Sequence, residues 1–412
     1  MRSILLEKIG PFDQAELELL DGSDGEIPVA FITGENGTGK SIVLDAIRGL
    51  FGPQYATLER QIVRGNGGYR LEAMATADRG PFQMSRLNEI PPHVPQPVSD
   101  QDHNRIRHLP QLLKEHPEQC PKWVVDFWRP GLSTESYDIK GLTKPDPAAL
   151  LSKSLQGTLR NAEVTELICF FDYLRDSRSQ SERTAGDLLY SLIAKIIKAS
   201  VLDGALDHVE RSSLTPIIKQ SGQLVPISNL SAGNAYLIQR LIGLLGKMYA
   251  VHLLRQTPAD ELHELPGLLL IDEAESHLHP RWQKRLVHDI LSVFPNLQII
   301  ATTHSPFILA STPGARVFGC RYDREAGCCV IERQHESFAN KPVDEVVLSA
   351  AFDGTQPFGP EITDLLEQRI RALDEGDEQT RIRVERELQD RNPQYFGFLD
   401  IEERLRALGS SG

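Results

Sequence analysis

One eight-residue word constrains this chain more than any other. Gly34-Glu35-Asn36-Gly37-Thr38-Gly39-Lys40-Ser41 fits the pattern G-x-x-x-x-G-K-[ST]. It comes after a short β-branched and aromatic run at 27–33. It precedes a segment in which Ile42, Leu44, Ile47 and Leu50 recur at helical spacing before Gly52-Pro53. Strand, Gly-rich turn and helix in that order let backbone N–H groups curl around phosphate oxygens at a helix N-terminus. Gly34, Asn36, Gly37, Thr38 and Gly39 are therefore expected to line a phosphate site. Lys40 is expected to reach the β- and γ-phosphates of ATP, and Ser41 to offer its hydroxyl to Mg²⁺. A Gly-rich surface turn is the bland alternative.

A second segment fits the same chemistry. Leu268-Leu269-Leu270-Ile271 reads as a buried strand that ends in Asp272 and Glu273. A buried parallel strand presents its carboxyl end to the ligand crevice, so both acids are expected beside the phosphates. Asp272 suits the oxygen shell of Mg²⁺. Glu273, next in line, is the candidate base that deprotonates the attacking water. Alone, such a pair is an ordinary solvated strand end; with the upstream loop it points to nucleotide hydrolysis.

Composition narrows the rest. The chain has 412 residues, 40% hydrophobic and 25% charged, enough for a large core and several domains. The formal net charge is −13, which excludes a basic surface over the whole chain and leaves DNA as a partner only through a local groove. Cys120, Cys169, Cys320, Cys328 and Cys329 are odd in number and lack metal-ligand spacing, which favours a reducing cytoplasm. No apolar run is expected to span a bilayer, so no membrane partner is expected.

Along the chain, residues 78 to 144 are rich in Pro, His and Gln and read as irregular. Val164 to Leu174 and Leu188 to Ile197 carry helical periodicity and predict a helical hairpin, and Leu214 to Ile227, broken by Ser221-Gly222, a β-hairpin. A long helix is expected from Asn234 to Arg255, then strand Leu268–Ile271, helix Arg281–Phe294 and strand Leu297–Thr302. These readings give an N-terminal lobe at 1–77, a mostly helical insertion at 78–213, a C-terminal lobe at 214–320 and a helical extension at 321–412.

Two further words complete the pattern. Leu230-Ser231-Ala232-Gly233-Asn234 opens the long helix with a good N-cap, and Thr302-Thr303-His304-Ser305-Pro306 closes the strand after the acidic pair. Each alone would be a structural feature. In this order they resemble the signature loop and switch histidine of the ABC/SMC/RecF ATPase superfamily. That resemblance implies an α/β, ABC-type P-loop NTPase head, in which Ser231 and Gly233 grip the γ-phosphate bound by an opposite subunit and His304 contacts that phosphate and its water. Glu273-Ala274-Glu275-Ser276-His277-Leu278-His279-Pro280 with Gln283 is similar to the E-x-E-x-H-L-H-P-x-x-Q segment of OLD-family AAA-type ATPases. The resemblance covers roughly 1–75 and 215–310. It lacks a Toprim pattern after His304, which implies a stand-alone ATPase of Septu-like or retron-associated kind. Such an ATPase acts as a homodimer or higher even oligomer and controls a separate nuclease or toxin in antiphage defence. A RecF-type DNA-repair ATPase and a transporter subunit are the alternatives; the acidic balance and the missing S-x-L-D loop count against them. Three departures stand out: Ile42 where a second Ser or Thr is usual, His279 where transporter-type loops carry Asp, and no secure Q-loop glutamine, with Gln61 and Gln83 both candidates.

Overall fold

The computed structural model describes residues 1–19, 28–51, 68–77, 80–88, 109–157, 159–352, 354 and 357–399. Gln61, the start of the strand predicted from Ile27, the end of the first helix beyond Phe51 and the terminal 409–412 lie outside them.

Thirteen strands occur among the described residues. They are β1 (Ser3–Ile9), β2 (Phe12–Glu18), β3 (Val29–Gly34), β4 (Tyr69–Ala77), β5 (Gly80–Asn88), β6 (Val124–Trp128), β7 (Gly204–Glu210), β8 (Thr215–Gln220), β9 (Gln223–Pro226), β10 (Gly267–Ile271), β11 (Leu297–Thr302), β12 (Arg316–Asp323) and β13 (Cys328–Gln334). Ten form one sheet in the order β5-β4-β1-β2-β13-β12-β3-β11-β10-β6. From β12 to β6 the pairing is parallel. The other flank is an antiparallel set built on β1, β2, β4 and β5. The mixed sheet with covering helices is the α/β architecture expected of a P-loop NTPase head.

The parallel strands are buried on both faces, which is why they read as continuous apolar runs. Phe31, Trp128, Leu269, Ile271, Ile299 and Ala301 face one core, shared with the helices α2 (Asn161–Arg175), α3 (Gln180–Ser200) and α4 (Ala232–Arg255). Ala30, Ile32, Phe127, Leu270 and Ile300 face a second core, shared with helix α1 (Lys40–Phe51) and the antiparallel strands. By length and composition helix α4 could cross a membrane, but 83% of its apolar window is buried inside the protein. It is the central core helix.

The helical hairpin α2–α3 lies where periodicity predicts it. Ser221 and Gly222 both adopt positive φ in the two-residue turn joining β8 and β9, as a tight hairpin of primed type requires. The first 50 residues also hold β1 and β2, which pair across the Gly10-Pro11 turn ahead of β3. Three expectations need correction. The region 78–213 is not mostly helical throughout, since it contributes β5 and β6 to the two edges of the main sheet. The helix expected from Arg281 to Phe294 is two, Pro280–Gln283 and Leu286–Val293, separated where Arg285 N–H bonds to Trp282 O. The extension expected to be helical from 321 starts with the end of β12 and then β13, which pairs antiparallel with the edge of β12.

The described residues of 347–349 and 354–399 make a separate compact unit. Within it, helices Pro360–Glu375 and Glu378–Arg391 and the short Pro393–Phe396 close over Leu365, Val384, Leu388, Phe396 and Leu399.

Candidate nucleotide site

Strand β3 ends at Gly34 and α1 begins at Lys40, so the Gly-rich word forms a loop at the carboxyl edge of the parallel strands. Gly34, Gly37 and Gly39 all have positive φ. Packing demands glycine at two of them. A Cβ on Gly34 would lie 2.0 Å from the Cys320 carbonyl oxygen, and one on Gly39 would lie 2.6 Å from Pro11 Cγ. Inside the loop, Thr38 Oγ1 donates to Glu35 O at 2.8 Å. Asn36 and Gly37 form its exposed crest.

Lys40 is buried, and its ammonium donates to Gly34 O at 2.9 Å and Glu35 O at 2.7 Å. Burial lowers its pKa; the Cys320 thiol and then the carboxylates of Asp272, Glu275 and Glu273 oppose that shift. A compact cation ringed by acids at a Gly-rich loop is suited to a polyanion.

The acidic pair emerges beside this loop, two strands from β3. Ser41 Oγ donates to Asp272 Oδ1 at 2.9 Å, and Thr302 Oγ1 donates to the same oxygen at 2.7 Å. Thr302 Oγ1 in turn accepts from Glu273 N–H at 2.7 Å, so one threonine on β11 ties down both residues at the end of β10. Glu273 has φ of 50°, a strained conformation for a residue with a Cβ, and its carboxylate is exposed, accepting from Ser276 Oγ at 3.0 Å. A divalent cation fits the hard oxygens of Ser41 and Asp272, completed by phosphate and water. Among the described residues no group of three or more His, Cys, Asp or Glu could hold a metal without such help.

His304 leaves the end of β11, open to solvent at the mouth of the same site. Partial desolvation, then repulsion from the Lys40 ammonium, lowers its pKa. Its backbone is held by Glu275, whose Oε1 accepts from His304 N–H at 2.8 Å while Oε2 accepts from Thr303 Oγ1 at 2.6 Å. Gln283 bridges the same region, accepting from Ser305 Oγ at 2.6 Å and donating to Leu278 O at 2.7 Å.

The signature residues lie elsewhere on this edge. Ser231 is exposed and N-caps α4. Gly233 packs on the turn after Glu273, where a Cβ would lie 2.6 Å from His277 O. Among the described residues neither is hydrogen-bonded to the phosphate loop. His277, at φ 64°, contacts Pro130 O through Nε2 at 2.5 Å and stacks at 5.6 Å from the Tyr236 ring.

The three departures acquire physical reasons. Ile42 packs on Gly10 in the β1–β2 turn, an apolar contact. His279 does the capping work of an aspartate, its Nδ1 accepting from Arg281 N–H at 3.2 Å. Gln83 lies on β5, the sheet edge farthest from β10 and β6, and so stands apart from the site. Thr302 and Glu275 lie within longer sequence words whose patterns assign neither a role.

A family described as "AAA domain, putative AbiEii toxin, Type IV TA system" matches residues 141–310, and one described as "AAA domain" matches residues 3–75. Among curated relatives, a retron Vc95 probable ATPase of Vibrio cholerae serotype O1 biovar El Tor is 31% identical over 129 residues, 31% of this chain and 24% of that one. A Septu protein PtuA of Bacillus thuringiensis is 26% identical over 184 residues, 43% of this chain and 46% of its own. The chain thus spans less than half the length of these two relatives. An SMC head domain from Thermotoga maritima aligns over 82% of this chain and all of its own, with 14% identity and a TM-score of 0.41.

Proposed function

We propose that this defence-associated ATPase head of the ABC/SMC superfamily binds ATP with Mg²⁺ and hydrolyses it between two chains that meet head to head. The observation that carries the reading is the joint at Asp272, where Ser41 from the phosphate loop and Thr302 from β11 meet one carboxylate oxygen. Three separate sequence words converge there on a spot suited to the end of a triphosphate.

In this reading Gly34 to Lys40 would wrap the phosphates, and Ser41 and Asp272 would hold the cation, which when bound would supply positive charge against the phosphate oxygens. Glu273 orients a water and accepts its proton as the water oxygen bonds to the γ-phosphorus. The bond from that phosphorus to the bridging oxygen breaks, and ADP leaves with the electron pair. His304, its neutral form favoured, would hydrogen-bond the γ-phosphate or the water. Ser231 and Gly233 of the opposite chain close the site with a helix N-terminus.

Hydrolysis would govern a separate effector nuclease or toxin in antiphage defence. The names of the retron and Septu relatives and the toxin–antitoxin description of the matched family support that role. All five cysteines are buried, which fits a cytoplasmic setting.

The test is Glu273→Gln, which keeps the shape and removes the base. Hydrolysis should fall roughly 10²–10⁴-fold, while ATP–Mg²⁺ stays bound and shifts sedimentation to a dimer. Wild-type turnover in this variant would overturn the assignment.

A further inference from the structure

Strand β6 ends beside the acidic pair, and the residue after it, Arg129, takes no part in the hydrolysis scheme. Trp128 pairs with Ile271, and Asp272 N–H donates to Trp128 O at 2.9 Å, so the ladder runs one step past both strands. Arg129 therefore comes level with Asp272, one strand spacing of about 4.8 Å away. Side chains alternate across a strand. Phe127 and Leu270 face the α1 core, so Arg129 and Asp272 take that same face, where Ser41 reaches Asp272.

The backbone of this corner is tied down. Arg240 donates to the carbonyls of Arg129, at 2.8 Å, and Gly131, at 2.9 Å, and Tyr236 OH donates to Arg129 O at 3.3 Å. The Arg129 stem lies over buried Gly157, where a Cβ would meet its Cγ at 2.7 Å. Its guanidinium is exposed, 6.0 Å from the Phe127 ring centroid, and makes no hydrogen bond or ion pair with any described residue. Arg48 beneath it differs, being engaged by Asp45 and Leu155 O. A fixed backbone bearing a fork-shaped cation that has no hydrogen bond or ion pair among the described residues, beside a phosphate site, is arranged for an anion that arrives with the substrate.

We propose that Arg129 is a ligand of the ATP γ-phosphate, supplied by the same chain that supplies the phosphate loop. The inference rests on the ATP reading and adds a nucleotide-discriminating residue to it. ADP lacks the group that Arg129 contacts, so the guanidinium separates the two nucleotides in binding as well as in turnover.

The test uses the full chain as wild type, Arg129→Ala, Arg129→Lys and Arg129→Gln, titrated with AMP-PNP–Mg²⁺ and with ADP–Mg²⁺ by calorimetry. Arg129→Ala should weaken AMP-PNP by about tenfold or more, the worth of a hydrogen bond between charged groups, and leave ADP unchanged. Arg129→Lys should recover part of the loss. The turnover number should fall about 10²-fold, as when one transition-state donor is removed. Equal weakening of both nucleotides, or none, overturns the proposal. If the alanine variant does not fold, Arg129→Gln decides by the same criterion, because it retains part of the stem over Gly157. Lys40→Ala separates the two claims. If it binds AMP-PNP as wild type does, the phosphate-loop reading itself fails, whatever Arg129 does.

Discussion

Glu275 is expected to position His304, and removing it should damage both stability and turnover. Its carboxylate accepts from Thr303 Oγ1 at 2.6 Å and from His304 N–H at 2.8 Å. Thr303 is fully buried, so Glu275→Ala strands a hydroxyl donor that water cannot easily reach. An unsatisfied buried donor costs about 1–3 kcal/mol, and the lost bond at the exposed His304 backbone adds about 0.5–1.5 kcal/mol, giving roughly 1.5–4.5 kcal/mol together. Freed from its clamp, the His304 backbone can shift, and a displacement of about 1 Å near the chemistry can cost about 10²-fold in rate. Glu275→Gln retains one acceptor and should fall between alanine and wild type. Thermal melting and steady-state ATP hydrolysis on the three proteins measure both effects. An alanine variant with wild-type melting temperature and wild-type turnover would refute the clamp.

The same geometry sets two other outcomes. Gly39→Ala forces a Cβ to within 2.6 Å of Pro11 Cγ and 2.8 Å of Phe12 Cζ at φ +98°, so melting should fall by the equivalent of about 1–3 kcal/mol or more and ATP binding should be lost; undiminished stability and affinity would contradict the packing. The folded-state pKa of His304 is depressed below its ordinary 6.5, so the unfolded chain binds the proton first. Its contribution to stability is present above pH 6.5 and is lost as pH falls toward the folded value. Urea melts down the pH scale should therefore show an extra decline in wild type that His304→Gln lacks, and parallel curves would refute it.

The parts legible in the sequence were those whose chemistry is local. Strand β11 has the predicted bounds and β10 starts one residue early, because a doubly buried parallel strand needs a continuous apolar run. The phosphate loop is a contiguous word whose glycines serve backbone geometry, so spacing alone reveals it. Long-range pairings were not legible. Val124 to Trp128 sits in a Pro-rich stretch that reads as irregular, although its apolar run is a signal. Asp126 on that strand is buried and becomes tolerable because Lys247 reaches it from α4 while Phe127 N–H and Trp128 Nε1–H donate to its carboxylate. Strand β13 runs from buried Cys328 and Cys329 to exposed Glu332 and Arg333 without alternating, so no period-two pattern marks it. Arg129, Thr302 and Glu275 act through register and hydrogen bonds between strands, and no single segment records those.

The central claim is that one chain's phosphate loop works with the other chain's Ser231. Lys40→Ala removes nucleotide binding, and Ser231→Arg obstructs the signature face while leaving its own loop intact, so each variant alone should be inactive. When they are mixed, a mixed pair places both lesions in one site and leaves the second site whole. The account predicts that ATP hydrolysis returns on mixing, to about the level of wild type paired with Lys40→Ala. If mixed pairs form and that control turns over, yet the two variants together stay silent, the shared site is contradicted.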